Sequence, residues 1–236
     1  MIKKAMILAA GFGKRIHPLT LQTPKPLLKI GKVTLLHNTI KFLESFGVKE
    51  VIINVHFLSE QIDEYINKRK FNLSINIIKE KGKILDTGGG VLNAIKNFSN
   101  RPFIIINPDT IWNTKYLREI KLMENIFLKK REAKCTLLIV NKKKSFDRSL
   151  RGDFNLKNSS IERTRKKKLN FIYTGLQIIK PEVFSEVNEK VFSINKIWDE
   201  LIKKNQLFGI KSNIKFLHIS TLNIYKSIIK KNLNIM

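Results

Sequence analysis

The chain has 236 residues, of which 43% are hydrophobic and 27% charged, the balance of a globular protein large enough to bury one substantial core. No apolar run reaches the roughly 18–20 residues of a membrane helix, and the lone Cys135 excludes an internal disulfide, so a cytoplasmic setting is expected. The formal net charge is +26, but its cations run from Lys3 to Lys231 with no helix-turn-helix, zinc-ligand spacing or aromatic RNA motif, so neither nucleic acid nor a membrane is the expected partner.

The first predicted element is a buried strand over residues 4–9, around Ala5-Met6-Ile7-Leu8. Its apolar stretch is too short for a signal peptide and runs directly into Gly11. Residues 8–27, LAAGFGKRIHPLTLQTPKPL, follow as a loop with Gly11 and Gly13, then Lys14 and Arg15, then Lys25 between Pro24 and Pro26. Glycines let backbone N–H groups approach a phosphate, clustered cations neutralise it, and flanking prolines fix the backbone under Lys25. That combination is how a polyphosphate site would be built. It is not a Walker A loop, and Ile16 stands where a dinucleotide fingerprint needs its third glycine.

Helical spacing over 34–46 ends at Gly47, a good C-terminal stop. Residues 51–55 read as a buried strand. Ser59, with Glu60 and Asp63, is expected to open a helix to Asn67. A strand over 73–78, a helix over 89–97 and a strand over 103–106 follow. This alternation predicts an α/β fold with a mostly parallel central sheet flanked by helices, whose ligands bind at the carboxyl ends of the strands. Beyond residue 115 the pattern is a long helix over 115–130, a strand over 134–140 holding Cys135, and a basic, turn-rich stretch over 142–168. That stretch carries 11 Lys or Arg against Asp147, Asp153 and Glu162. A glycine-interrupted strand over 171–179, a helix from Ser193 to Asn205 and a closing helix from Thr221 complete the chain. No linker divides it, so one domain over 1–236 is expected.

The order of strand, glycine loop, cation and Pro24-Lys25-Pro26-Leu27 resembles the signature of the sugar-1-phosphate nucleotidyltransferases. Leu85-Asp86-Thr87-Gly88-Gly89-Gly90 is similar to the family's Leu-x-Thr-Gly-Gly loop, and Asn107-Pro108-Asp109 to its Asn-Gly-Asp. Pro108 departs from the pattern by removing an N–H. Weaker matches are Arg151-Gly152-Asp153-Phe154, Tyr173-Thr174-Gly175 and Phe216-Leu217-His218-Ile219-Ser220-Thr221. The first two resemble the bacterial subgroup acting on N-acetylmuramate 1-phosphate or hexose 1-phosphates, with the mannose-1-phosphate guanylyltransferases close by, and the third resembles a family element of the form Trp-x-Asp-Val-Gly-Thr, with Ser220 in place of its glycine.

The resemblance implies a nucleotide-diphospho-sugar transferase fold, a nucleotide-binding half over 1–110 and a sugar-phosphate half over 111–236. It implies Arg15 and Lys25 as catalytic cations. Ala10, Gly11, Gly13, Lys14, Glu80, Thr87, Gly88 and Asn107 would contact the nucleotide, and Asp153, Thr174 and Gly175 the sugar. Asp109 would hold Mg²⁺. His218 stands where the family has a second metal-binding aspartate, and a hard cation prefers oxygen to imidazole. The implied substrates are UTP or GTP and a sugar 1-phosphate. A non-catalytic nucleotide-sugar sensor, a choline-phosphate cytidylyltransferase and a polyanion-binding protein built on 142–168 are the alternatives.

Overall fold

The computed structural model describes residues 1–164 and 168–231; residues 165–167 of the basic stretch, and 232–236 of the expected domain, lie outside the described residues. In chain order the elements are β1 (Lys4–Leu8), a short hairpin of β2 (Lys29–Ile30) and β3 (Val33–Thr34), α1 (Leu35–Phe46), β4 (Glu50–Val55), α2 (Ser59–Asn67) and β5 (Ser74–Lys79). They continue with α3 (Asp86–Ala94), β6 (Phe103–Ile106), α4 (Tyr116–Lys129), β7 (Cys135–Asn141), β8 (Asn155–Lys157) and β9 (Ser160–Glu162). The last are β10 (Phe171–Ile179), α5 (Asn195–Lys203), β11 (Leu207–Ser212) and α6 (Leu222–Lys230).

One nine-stranded sheet runs in the order β5-β4-β1-β6-β10-β7-β11-β9-β8. All of its strands except β9 and β10 point the same way. The mostly parallel α/β sheet expected from the sequence is therefore the one observed. From β1 the chain moves outward to β4 and β5, then returns to place β6 on the other side of β1. That reversal is a topological switch point, and it opens a crevice at the carboxyl ends of β1 and β6.

Strand alternation sends side chains to two cores. Ala5, Ile7, Ile104 and Ile106 pack with α1 and α4 through Ile40, Leu43, Ile120 and Met123. Met6, Ile105, Leu137 and Ile139 pack on the other face with α3 and α5 through Val91, Ala94, Ile197 and Trp198. A third cluster ties the loop after β1 to α6: Ile16, Leu28 and Leu35 meet Tyr225 and Ile228, and the Tyr225 hydroxyl donates to the Lys29 carbonyl at 2.8 Å. The glycine loop thus rests on a packed base. No helix among the described residues is long and apolar enough to cross a membrane.

Several local expectations change. The helix α2 does run from Ser59 to Asn67 as expected, but Leu58, at φ 52°, takes its N-cap position and the Ser59 hydroxyl donates to Glu60. The helix expected from Gly89 begins at Asp86, so the three glycines form its first turns. Gly88 and Gly89 are buried because the 190–192 segment lies against them, a Cβ on Gly88 meeting the Phe192 ring at 2.3 Å, and Gly90 faces Asn54 and Glu80. The strand β11 was not foreseen; its Phe208-Gly209-Ile210 lacks clean alternation because it is covered on both faces. Gly47 and Thr221 cap α1 and α6 as expected. Cys135 is buried in β7, its Sγ 3.2 Å from Gln177 Oε1, and burial pushes its thiol well above the usual value, so it is core and not a nucleophile.

Ile105 is fully buried at the centre of the sheet. Ile105→Ala should lower unfolding free energy by about 2–5 kcal/mol, read from urea denaturation. A loss below about 0.5 kcal/mol would show that β6 is not the buried interior strand described.

Candidate active site

A cavity of about 390 Å³ opens at the switch point, between the loops that leave β1 and β6. Ala10, Gly11, Gly13, Lys14, Arg15 and Lys25 line it from the first loop, and Asn107, Pro108 and Asp109 from the second. Thr87 lines it from the first turn of α3. The structure therefore brings together residues far apart in the chain; Lys25 and Asp109 are separated by 84 positions. A Cβ on Gly11 would meet nothing within 4 Å, so this backbone faces open space. Gly13 has φ +65°, a conformation side chains rarely adopt, and its carbonyl accepts from the Thr20 hydroxyl at 2.9 Å.

Lys25 occupies a 3₁₀ turn whose Pro26 is buried. Its Nζ lies 2.5 Å from Asp109 Oδ2. His218 Nε2 lies 3.2 Å from the same oxygen. The imidazole is delivered by a β-bridge between Thr110 and His218 and lies parallel to the Phe216 ring. Burial pushes the Asp109 carboxyl up, but the Lys25 ammonium and the His218 imidazole outweigh it and hold the group well below the usual carboxylate range.

Asp109 Oδ1 is buried and has no hydrogen-bond partner among the described residues. A free carboxylate oxygen at the wall of a phosphate-sized cavity fits Mg²⁺, which takes one or two carboxylates and completes its shell with water and phosphate oxygens. No group of three or more His, Cys, Asp or Glu that could hold a metal ion occurs among the described residues. A metal there would be held by the Asp109 carboxylate, against which His218 is braced.

A second cavity of about 290 Å³ adjoins the first, sharing Leu8, Asp86, Thr87 and Asn107. Asp153 lines it, as the sequence expects of a sugar-side residue. Its Oδ2 accepts the Tyr173 N–H at 2.9 Å, and burial raises its carboxyl above the usual value.

Four expected contacts do not face either cavity. Glu80 is buried behind the wall, where its carboxylate accepts from Asn54 Nδ2 at 2.7 Å and the Leu85 N–H at 2.8 Å. It shapes the pocket by fixing two wall segments. Gly88 donates its N–H to the Phe192 carbonyl, leaving none for a nucleotide. The Thr174 hydroxyl donates to the Leu138 carbonyl at 2.8 Å. Gly175, at φ +91°, lets β10 press against Asn107: its carbonyl accepts the Asn107 N–H at 2.7 Å, and a Cβ would meet Asn107 Cβ at 2.9 Å.

Sequence reasoning missed Asn54 and Asp86, both in the cavity wall. Asn54 Oδ1 accepts the Ala9 N–H at 3.1 Å and so fixes the start of the glycine loop. A lone polar residue inside the apolar run Val51-Ile52-Ile53-Asn54-Val55 was the available signal. Phe12, which meets His56 and Phe57 at 5.5 and 5.7 Å, was also unforeseen.

Residues 4–147 match the family model described as nucleotidyl transferase. The chain is 25% identical over 222 residues to the N-acetylmuramate alpha-1-phosphate uridylyltransferase of Caulobacter vibrioides, covering 92% of this chain and 91% of that protein. It is 25% identical over 211 residues to the mannose-1-phosphate guanylyltransferase catalytic subunit beta of Drosophila melanogaster, covering 88% of this chain and 56% of that one. The fold matches the crystal structure of HddC from Yersinia pseudotuberculosis complexed with GMP-PN, with a TM-score of 0.75, 22% identity and 98% and 99% coverage.

Asp109 has a lowered pKa, so its pairing stabilises the fold above the ordinary carboxylate pKa of about 4 and is lost as pH falls through the folded value. Lys25→Met should destabilise the metal-free protein by on the order of 3 kcal/mol at pH 7. Urea titrations in chelator should show that difference shrinking below about pH 4, where the unfolded chain takes up a proton that Asp109 of the folded wild type does not. A difference constant down to pH 3 would contradict the pairing.

Proposed function

Because the chain belongs to the nucleotidyl transferase family, we propose that it is a sugar-1-phosphate nucleotidyltransferase acting on UTP or GTP. An oxygen of the sugar 1-phosphate attacks the α-phosphorus of the triphosphate in line. The bond from that phosphorus to the bridging β-phosphate oxygen breaks, and pyrophosphate leaves with the electron pair. The products are a nucleotide sugar and pyrophosphate. The nucleophile is already an anion, so no general base is needed; the protein must hold two anions together and neutralise the growing charge.

The observation that carries this reading is the Lys25–Asp109 pair inside a glycine-walled cavity. Ala10, Gly11, Gly13 and Lys14 wrap the triphosphate, with Thr87 and Asn107 beside the nucleoside. Arg15, at the rim, holds the leaving pyrophosphate. Lys25 moves from Asp109 to lie between the α-phosphate and the incoming sugar phosphate. Mg²⁺, when bound at Asp109, supplies charge screening for the phosphates. Residues 1–110 thus hold the nucleotide and 111–236 supply the sugar side. N-acetylmuramate 1-phosphate and the hexose 1-phosphates are the candidate acceptors, since relatives of both kinds match across most of the chain.

The test is a matrix of four nucleoside triphosphates against several sugar 1-phosphates, scored by pyrophosphate release. Release dependent on both substrates is expected with UTP or GTP. Lys25→Ala and Arg15→Ala should each lower kcat by about 10²–10³. Binding of a nucleotide sugar without pyrophosphate release from any pair would favour a sensor. Asp109→Asn should flatten the magnesium titration; an unchanged titration would remove Asp109 as a ligand.

A further inference from the structure

The basic stretch over 142–168 has no part in the transfer reading, yet the fold gives its first cations a definite place. Lys143, Lys144 and Arg148 come together with Lys215 and Lys231, from the far end of the chain, around a cavity of about 460 Å³. Ser145, Phe146 and Asn213 complete the lining, which shares no residue with the main cavity and includes no Asp or Glu. None of the five cations makes an ion pair among the described residues. The neighbouring acids are engaged elsewhere. Asp147 accepts from Ser149 and Ser220, and Glu119 accepts the Asn213 N–H at 3.1 Å.

These cations stand on a fixed frame. The Phe146 N–H donates to the Phe216 carbonyl at 2.9 Å, and the Phe216 N–H donates to the Lys144 carbonyl at 3.0 Å. Lys144 Nζ donates to the Asn213 carbonyl at 2.7 Å, and the Arg148 guanidinium donates to the Lys143 carbonyl. The Lys215 and Lys231 ammonium groups lie over the Phe146 ring, 5.6 and 5.3 Å from its centre. Ser145 is 2% exposed, and its Oγ is buried with no hydrogen-bond partner among the described residues. A buried hydroxyl is normally paired, so this one is a donor in need of an acceptor. Like charges gathered in one place destabilise a fold by repulsion. A multiply charged anion in the cavity would relieve that repulsion and supply the acceptor.

We propose that this cavity is a second anion site, separate from the main one, and that it takes a compact phosphate-bearing anion: inorganic pyrophosphate or polyphosphate, or the phosphate tail of a nucleotide. A strand of nucleic acid needs an extended basic groove with aromatic faces left free for its bases. Here the lining is a single cavity, and the Phe146 ring is already engaged by two ammonium groups. The site stands whether or not the main cavity transfers nucleotides.

Equilibrium dialysis of the full chain with tripolyphosphate tests it. Arg148→Gln combined with Lys215→Gln should weaken one binding event by about ten-fold or more, the worth of one charge-assisted hydrogen bond. Lys25→Ala, altered only in the main cavity, should keep that event. At low salt and without ligand, the double variant should unfold at the same temperature as the wild type or higher, and it should gain less from tripolyphosphate. Ser145→Ala should also weaken binding without lowering the unfolding temperature of the free protein. Competition on Lys25→Ala separates the two sources: UTP or GTP at least as effective as pyrophosphate points to a nucleotide tail, and pyrophosphate more effective than either points to the inorganic anion. Unchanged tripolyphosphate affinity in the double variant overturns the site, and a double variant that unfolds earlier than the free wild type contradicts the repulsion it rests on. A short single-stranded RNA that binds more tightly than tripolyphosphate, and is lost in the double variant, marks a nucleic-acid surface and overturns the site as well. Unchanged affinity in Ser145→Ala overturns the role of the hydroxyl.

Discussion

The contact between the Lys25 ammonium and the Asp109 carboxylate organises this molecule. Neither group is stable alone where it sits. A carboxylate under the sheet's carboxyl edge loses most of its hydration, and a lone buried charge is among the most destabilising features a fold can carry. Paired, and with His218 on the same oxygen, the two charges satisfy one another without phosphate. In the proposed reaction the arrangement would hold a cation beside the place where phosphates gather, and it leaves Asp109 Oδ1 unused. The resting state is thereby close to the one that chemistry on phosphates requires, which is what electrostatic preorganisation means in structural terms.

The rest of the fold serves that contact. Lys25 reaches Asp109 because β1 and β6 are neighbours, and they are neighbours because the chain reverses its winding between them. The long loop after β1 keeps its course through the cluster that joins Ile16 and Leu28 to Tyr225 and Ile228 of α6. Asp109 is fixed from the opposite side: the Ile219 N–H donates to its carbonyl, and the Thr110 hydroxyl donates to the carbonyl of Thr174. The end of the chain therefore locks both loops that line the cavity, although it contributes little to the cavity wall. The smaller adjoining cavity follows from the same layout, since β10 carries Tyr173 and Gln177 into the wall next to Asp153.

Much of the first half was legible in the sequence because each signal there has one local cause. Continuous apolar runs mark strands buried on both faces, Gly47 marks a helix end, and the glycines and prolines of 8–27 constrain backbone wherever they occur. The loop and its cations were read in this way, whereas Asp109 was singled out through the resemblance of Asn107-Pro108-Asp109 to the family's Asn-Gly-Asp. Long-range facts were not legible. Thr174 and Gly175 carry sugar-site residue types, but the register of β10 turns the threonine toward Leu138 and uses the glycine to admit Asn107. Gly88 was read as loop and is a packing glycine, because the segment at Phe192 arrives from 104 residues away in a way no local pattern records. Glu80 was placed at the right wall but one layer too far forward, since its partner Asn54 lies on a neighbouring strand.

The central claim is that phosphate-bearing ligand replaces the bond between Lys25 and Asp109. A double-mutant cycle on unfolding free energy, with Lys25→Met, Asp109→Asn and the double variant, measures that bond directly when run without and with saturating nucleoside triphosphate. Without nucleotide the coupling should be about 2 kcal/mol, and with nucleotide it should fall toward zero as the ammonium transfers to phosphate. A coupling near zero in the free protein, or one that nucleotide leaves unchanged, would contradict the account.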